Sequence, residues 1–325
     1  SQRLTPCPPT LDPRQKRRLD RRMKVVLFAL FVALCIVCGG NESAAQNNAE
    51  SLVQKGAKWE VIGTGYQASD GPAWDGRANL YFPDVRAGEI WRYNVDDKKV
   101  HLVVADAGRI SASHYDHKND RLLLSNNGAG RISYLEGDSL VPLVQHPVDA
   151  KPPFKPNDLV ADDRGGIYHT FTGKGSVYYL NPSGNLIQVI DDIKRPNGIA
   201  LSLDCKTLYV ASYNAHEVWA YSVQPDGTVE DGRKFCSWMP RPKRGADGLT
   251  IDALGNLYCA GSDKLWVWNP KGKLISTIDL PALACNCAFG DKDGRGLYVS
   301  TFTTLYRIRM NVAGGRIAPA SRPKE

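Results

Sequence analysis

The stretch RPNGIALSLDCKTLYVAS, residues 195–212, contains the pattern that decides the fold. It begins with an Asn-Gly dipeptide, continues through an apolar strand and a polar turn, and ends in a second apolar strand, LYVAS. Short apolar segments bounded by Gly, Asp, Asn and Pro are typical of antiparallel strands. The stretch therefore predicts two consecutive strands of one β-rich unit.

The same pattern occurs six times along the chain, at intervals of 40 to 49 residues. The first apolar residue of each second strand marks the register, at Leu80, Leu122, Ile167, Leu208, Leu257 and Leu297. Intervals of this length are typical of the four-stranded blade of a β-propeller. The sequence therefore predicts an all-β fold, a six-bladed β-propeller.

The last predicted blade has no outer strand of its own after Arg309. Earlier blades end in such a strand, for example LIQVI at residues 186–190. The segment WEVIGTG, residues 59–65, precedes the first blade and has the pattern of a strand. We expect this N-terminal strand to close the last blade, because closure protects strand edges that an open ring would expose.

The N-terminal region predicts export. Residues 25–37, VVLFALFVALCIV, form an apolar run after Lys24, and Ser43-Ala44-Ala45 supplies small residues for cleavage. These features are typical of a secretory signal peptide, with an uncleaved anchor as the alternative. We expect a periplasmic or secreted protein with no membrane association after cleavage. The predicted organisation is a basic segment and signal peptide at 1–45, a linker at 46–56, one propeller domain at 57–310 and a tail at 311–325.

Charge and cysteine content restrict the function. The whole chain carries +7, but residues 1–45 hold eight of the 41 basic residues and three of the 34 acidic ones. The rest therefore has 33 basic and 31 acidic residues, which does not favour nucleic-acid binding. Five cysteines follow residue 45, none with zinc-site spacing. We expect Cys285 and Cys287 to be buried thiols rather than a disulfide.

Each repeat places one residue at the start of the strand expected nearest the central axis. Five of these six positions carry a side-chain oxygen: they are Asp70, Ala112, Asn157, Asn197, Asp247 and Asn286. Equivalent positions of a propeller face each other across the channel, so these side chains are expected to converge. Asp-Gly and Asn-Gly are also common turn sequences, and a turn role stays open for any single copy.

Two carboxylates, Asp70 and Asp247, and two amides, Asn157 and Asn197, form a candidate metal site made only of oxygen ligands. Hard cations prefer such ligands. We therefore predict one divalent metal ion, Ca²⁺ first, with Mg²⁺, Mn²⁺ or Zn²⁺ as alternatives. The chain has no nucleophile elbow, phosphate-binding loop, dinucleotide fingerprint or H-E-x-x-H motif.

Several stretches closely resemble the gluconolactonase and regucalcin family of six-bladed propellers. They are GPAWDGRANLYFPD (71–84), KPNDLVADDRGGIY (155–168), RPNGIALSLDCKTLYVAS (195–212), ADGLTIDALGNLYCAG (246–261) and NCAFGDKDGRGLYVSTFTTLYRIR (286–309). The resemblance covers about residues 60–310. It implies lactone hydrolysis and a divalent metal at the axis. The ligands that it implies are Asp70, Asn157, Asn197 and Asp247.

The chain departs from the family pattern at two places. The family usually has Glu in an E-G-P motif, where this chain has Asp70, whose side chain is one methylene shorter. Its third blade often contains Y-F-T-D, where this chain has Tyr168-His169-Thr170-Phe171 and so lacks a carboxylate.

The resemblance suggests Asp247 as the acid/base residue, although a metal-bound carboxylate is a weak base and Asp247 could serve only to orient water. Lys155 is a candidate for binding substrate oxygens, with a solvated loop lysine as an equal alternative. Asp158 is expected to brace its loop. The predicted function is metal-dependent opening of a small-molecule sugar lactone. The alternatives are hydrolysis of other lactones or esters at the same site and a non-catalytic binding module.

Overall fold

The computed structural model describes residues 52–146, 154–238 and 244–316. The elements that lie entirely within these residues are β-strands and one short 3-10 helix, Tyr213–Ala215. In chain order the strands are β1 Glu60–Ser69, β2 Ala73–Trp74, β3 Asn79–Asp84, β4 Glu89–Asn94, β5 Lys99–Val104, β6 Ile110–Asp116, β7 Arg121–Asn126, β8 Arg131–Glu136, β9 Ser139–Gln145, β10 Pro156–Ala161, β11 Ile167–Phe171, β12 Ser176–Leu180, β13 Leu186–Ile190, β14 Pro196–Leu201, β15 Thr207–Ser212, β16 Glu217–Val223, β17 Val229–Ser237, β18 Leu249–Ile251, β19 Leu257–Trp268, β20 Leu274–Ala284, β21 Asn286–Gly290, β22 Gly296–Ser300 and β23 Phe302–Arg309.

These strands form antiparallel sheets that mostly follow chain order. Three four-stranded sheets consist of β6 to β9, β10 to β13 and β14 to β17, and a three-stranded sheet consists of β18 to β20. The remaining strands form one eight-stranded sheet in the order β21-β22-β23-β1-β3-β4-β5, with β2 paired to β3. Because consecutive strands pair across short turns, each repeat builds its own small sheet. The predicted all-β, propeller-like arrangement is confirmed.

The described residues contain four separate sheets of blade size rather than six, because one residue pair merges the remaining strands. Ser69 at the end of β1 pairs with Asp84 at the end of β3, which joins the first and last strand groups of the chain in one sheet. Along most of its length β1 instead pairs with β23, and Glu60 lies opposite Arg307. The predicted pairing of the N-terminal strand with the last strands of the chain is therefore confirmed.

Polar turns connect the first and second strands of each repeat, and aspartate side chains hold the backbone of these turns. Oδ1 of Asp252 accepts hydrogen bonds from the backbone N–H groups of Leu254 and Asn256, both at 2.9 Å. Asp75 accepts equivalent bonds from the backbone of residues 77–79 at 2.8 to 3.0 Å. Side-chain bonds of this kind satisfy backbone donors that a tight turn would leave unpaired. Each turn thus places the start of the second strand at a set distance from the first.

The strands fall into six groups, one for each repeat: β2 to β5, β6 to β9, β10 to β13, β14 to β17, β18 to β20, and β21 to β23 with β1. The hydrophobic core of the described residues is divided into six clusters, and each cluster lies between two neighbouring strand groups. For example, Val160 of β10 and Leu208 of β15 belong to one cluster. Tyr66 of β1 and Tyr298 of β22 belong to another, which connects the two ends of the described chain. Burial of one large apolar side chain contributes about 1.5–3 kcal/mol. Contacts between neighbouring strand groups therefore stabilise the arrangement that positions the inner strands.

The five cysteines in the described residues are all free thiols. Cys285 and Cys287 are buried, as expected from the sequence, and Cys287 packs in the cluster between β18 to β20 and β21 to β23. These thiols behave as small apolar side chains. No helix in the described part of the chain is long and apolar enough to cross a membrane. The signal peptide predicted within residues 1–45 lies outside the described residues, so export stays a prediction.

Candidate metal and substrate site

Neighbouring inner strands contact each other near the positions that the repeat singled out. The backbone N–H of Ser113 in β6 donates to the carbonyl oxygen of Gly71 at 3.1 Å. The hydroxyl of Ser111 donates to the carbonyl oxygen of Asn157 at 2.7 Å, and the hydroxyl of Thr170 donates to that of Asn197 at 2.8 Å. These bonds connect one strand group to the next, so the starts of the inner strands lie side by side.

Two glycines permit the closest of these approaches. A Cβ at Gly198 would lie 2.2 Å from the carbonyl oxygen of Asp247, and one at Gly248 would lie 2.1 Å from the side chain of Asn286. Neither glycine has a positive φ angle. The Gly that follows Asn197 and Asp247 is therefore required for close packing of strands around the site, and not for a left-handed turn.

A central cavity of about 110 Å³ lies among the inner strands. The six inner strands are β2, β6, β10, β14, β18 and β21. Each of them contributes a lining residue, in this order Trp74, Ser113, Asp158, Ile199, Thr250 and Asn286. Asp158 lies near the start of β10, whereas Arg316, which also lines the cavity, donates to the carbonyl oxygen of Ala161 at the end of that strand, at 3.1 Å. The cavity therefore runs along the inner strands from Asp158 to Arg316 of the C-terminal segment.

Three carboxylates gather at the starts of the inner strands. Asp158 and Asp247 are 7% and 5% exposed, and Asp70 is partly buried. Burial raises the pKa of Asp70 to about 6 and that of Asp158 to about 7, and the charge of Asp70 contributes to the rise at Asp158. Burial, followed by the charge of Asp70, also raises the pKa of Asp247 well above its usual range. The three acids are close enough to repel one another, so a cation among them would be strongly attracted.

Arg244 and Asn286 are the polar partners of these acids. Nη2 of Arg244 lies 3.0 Å from Oδ2 of Asp247 and forms an ion pair with it. Nδ2 of Asn286 donates to Oδ2 of Asp158 at 3.3 Å, and the same amide lowers the pKa of Asp70. One guanidinium and one amide therefore offset only part of the negative charge of three carboxylates.

In the structure the charge of Asp70 acts on Asp247, and two of the other predicted ligands lie at the starts of inner strands. Asn157 and Asn197 are partly buried at the starts of β10 and β14. The nearby Lys155 is exposed and forms no ion pair with the described residues. The side-chain roles of these residues stay predictions, whereas their placement at one end of the inner strands is an observation.

Sequence reasoning left two polar partners of the acids out of the predicted site, Asn286 and Arg244. Asn286 has the same register as the predicted ligands, and this signal could have included it. Asp158 directly follows Asn157; its Oδ1 accepts a hydrogen bond from the Leu159 N–H at 2.8 Å, in keeping with a local brace, and its Oδ2 accepts one from Asn286. Arg244 lies outside the repeat pattern, so no periodic signal in the sequence marks it.

The second departure from the family pattern has a structural explanation. His169 and Phe171 are buried, and Phe171 stacks on Phe154 with ring centroids 4.6 Å apart. Nε2 of His169 lies 2.9 Å from Nε2 of His146 in the same aromatic layer. Where the family often has a carboxylate, this chain therefore has an apolar contact between neighbouring strand groups.

The donor chemistry fits a hard divalent cation, with a limit on the number of acids that can bind it. The described residues contain no group of three or more His, Cys, Asp or Glu side chains close enough to hold a metal ion. The predicted set has two carboxylates, Asp70 and Asp247, and would be completed by amide oxygens and water. Sets of this kind are common for Ca²⁺ and Mg²⁺. The uncompensated acidic charge near these donors also fits a cation.

The chain is similar in sequence and in fold to proteins named lactonase and gluconolactonase. Lactonase drp35 of Staphylococcus saprophyticus subsp. saprophyticus is 32% identical over 228 residues, which are 65% of this chain and 69% of the relative. The structure of a gluconolactonase from Xanthomonas campestris has a TM-score of 0.72 and 26% identity, covering 79% of this chain and 91% of that one.

A third similarity concerns the fold alone. The structure of the calcium-binding protein regucalcin from Agrobacterium tumefaciens has a TM-score of 0.69 at 16% identity, covering 82% of this chain and 98% of that one. Residues 68–303 match the family described as the SMP-30/Gluconolactonase/LRE-like region, and this range includes all the proposed ligands. The chain therefore belongs to the SMP-30/gluconolactonase/LRE-like family.

Proposed function

We propose that this protein is a metal-dependent hydrolase that opens a sugar lactone. The observation that carries the proposal is the meeting of Asp70 and Asp247 at the starts of inner strands that surround a cavity. Membership of the family and similarity to proteins named lactonase and gluconolactonase support it. The fold by itself would not, because propellers have many functions.

We also propose that the fold consists of six blades closed by β1. The eight-stranded sheet would then be two four-stranded blades that touch through the pair of Ser69 and Asp84. The six core clusters between strand groups support this count, as do the six inner strands that line one cavity.

Asp70 and Asp247, with the amide oxygens of Asn157 and Asn197, would hold one divalent cation. Ca²⁺ is the first candidate because all four ligands are oxygen atoms, two from carboxylates and two from neutral amides, and water can complete the coordination. Such a cation, when bound, polarises the lactone carbonyl and lowers the pKa of a water molecule.

The chain's own residues would orient the reactants. Asp247 orients the attacking water towards the carbonyl carbon and accepts its proton. The water oxygen forms the new bond, the ring C–O bond breaks, and the ring oxygen takes up a proton to give the hydroxy acid. Lys155, at the exposed rim, would hold oxygens of the substrate.

Acid release from lactones tests this function. Five- and six-membered aldonolactones and a simple aryl ester would be supplied to the protein after chelation and again after Ca²⁺ is restored. We expect lactone opening that is lost with chelator and recovered with Ca²⁺. Turnover of the ester alone would favour a different hydrolase. Absence of turnover with every substrate would contradict the proposal and favour a binding module.

A further inference from the structure

Arg244 is in an unusual position for a basic residue, because it lies beside the acids that would bind a cation. Its Nη2 atom is 3.0 Å from Oδ2 of Asp247, and the side chain is only 22% exposed. Its charge lowers the pKa of both Asp70 and Asp247. The guanidinium is therefore the cation that Asp247 contacts in this structure.

The rings of Tyr213 and Phe302 form an aromatic shelf beside the guanidinium of Arg244. Its central carbon is 4.6 Å from the ring centre of Phe302 and 5.9 Å from that of Tyr213. Phe302 has a φ angle of 57°, a left-handed conformation that is unfavourable for a residue with a side chain. Strained backbone of this kind is concentrated at functional sites. Contact with two rings would allow the guanidinium to shift between them while it keeps a cation–π contact.

One donor of Arg244 has no acceptor among the described residues. Its Nε–H is buried and forms no hydrogen bond with the part of the chain that the structure describes. A buried donor without a partner is unfavourable by about 1–3 kcal/mol. Guanidinium groups recognise oxygen acceptors through several N–H groups at once. An oxygen of a substrate bound beside Asp247 would satisfy this donor.

We propose that Arg244 exchanges partners during the reaction cycle: it pairs with Asp247 before the divalent cation binds, and with an oxygen of the lactone afterwards. This inference rests on the proposed function. A positive charge beside Asp247 must oppose the binding of a second cation to the same carboxylate. Once the cation occupies Asp247, the guanidinium is released and remains on the shelf of Tyr213 and Phe302, at the substrate.

The exchange predicts effects of opposite sign on metal and on substrate. In Arg244→Gln, the affinity for Ca²⁺ measured by calorimetry should rise at least tenfold, which is about 1.4 kcal/mol. At saturating Ca²⁺ the same variant should need at least tenfold more lactone for half-maximal rate. Arg244→Lys keeps the charge but loses the planar fork, so it should bind Ca²⁺ like the wild type and still bind lactone weakly.

Arg195 provides the matched control. Its guanidinium also lies on the Tyr213 ring, at 4.7 Å, but it is exposed, and among the described residues the ion pair of Asp247 is with Arg244. Arg195→Gln removes the same charge and should change Ca²⁺ affinity less than twofold. Thermal melts establish that each variant is folded, and Arg244→Lys provides the comparison if Arg244→Gln is not.

The outcomes separate this inference from the proposed function. Ca²⁺ affinity that is unchanged or weaker in Arg244→Gln would overturn the exchange and leave the metal site intact, since Arg244 would then only brace Asp247. Absence of Ca²⁺ binding by the wild type would overturn the metal site itself and the exchange with it. Tighter Ca²⁺ binding together with weaker lactone binding would support both.

Discussion

Nε2 of His146 and Nε2 of His169 lie 2.9 Å apart inside the protein, so one ring must donate a hydrogen bond to the other. Both residues are buried, and Phe154 stacks on His146 with ring centroids 4.2 Å apart. Burial lowers the pKa of His146 to about 4 and that of His169 to about 3. Each histidine is therefore neutral at neutral pH, and protonation of the accepting ring at Nε2 would remove the acceptor of this bond.

This pair makes the folded protein sensitive to acid. The unfolded chain binds a proton at each histidine near pH 6.5, whereas the folded chain does so only near pH 3 to 4. The free energy of unfolding should therefore decrease as the pH falls from 6.5 towards 4, by about 1.4 kcal/mol per pH unit for each group. We expect His169→Phe, which restores the family's usual residue, to reduce the dependence of the unfolding free energy on pH by the contribution of one histidine.

Urea unfolding between pH 7.5 and 4.5 measures this slope. The raised pKa values of Asp70 and Asp158 act in the opposite direction, but they are common to both proteins, so the difference in slope reports the histidine. Substitution of the partly exposed His101 by Gln is the control. Equal slopes for wild type and His169→Phe would contradict the prediction.

Asp247→Asn should abolish lactone turnover and metal binding while the protein stays folded. The substitution removes one of the two proposed acidic ligands, but it also relieves repulsion from Asp70 and Asp158. Turnover with Ca²⁺, calorimetry and a thermal melt measure the three properties. Asp279→Asn, at an exposed position, is the matched control. Activity above a tenth of the wild-type value, a loss below about 1.4 kcal/mol in transition-state stabilisation, would remove Asp247 from its role.

Asp70 tests the shorter acid at the family's Glu position. Asp70→Ala should weaken metal binding markedly, whereas Asp70→Glu should preserve or strengthen it because the longer side chain restores the usual reach. Titration calorimetry with Ca²⁺ and Mn²⁺ compares the three proteins. Equal affinities throughout would mean that Asp70 is only a turn residue, whose Oδ1 accepts the bond from the Gly71 N–H at 2.8 Å.

Deletion of residues 46–66 should destabilise the domain although it removes none of the proposed ligands. It removes most of β1, which pairs with β23, and Tyr66, which packs in the cluster with Tyr298. The midpoint of urea unfolding should therefore fall. Deletion of residues 1–45 alone should leave it unchanged. An unchanged midpoint in the longer deletion would show that β1 is dispensable for closing the fold.

The repeat determined most of the fold and the positions of the proposed metal ligands along the inner strands. Strand positions follow from local alternation of apolar and turn residues, and the inner-strand register placed Asp70 and Asp247 at equivalent points. The pairing of β1 with β23 could be predicted because one strand was missing at the end of the chain and one was in excess at its start. The merging of strands into an eight-stranded sheet could not, since a single bridge between Ser69 and Asp84 decides it.

Only the tertiary structure determined which side chains balance the charge of the acids. Asn286 and Asp158 are 128 positions apart and meet because the strand groups follow one another around a cavity. Arg244 has no counterpart in the repeat, and His146 and His169 belong to neighbouring strand groups. A periodic sequence specifies where equivalent residues lie, because every copy obeys the same local rules. Contacts between different copies depend on how neighbouring strand groups pack. Burial there gives each unpaired donor a free-energy cost and shifts the pKa of each buried acid or base.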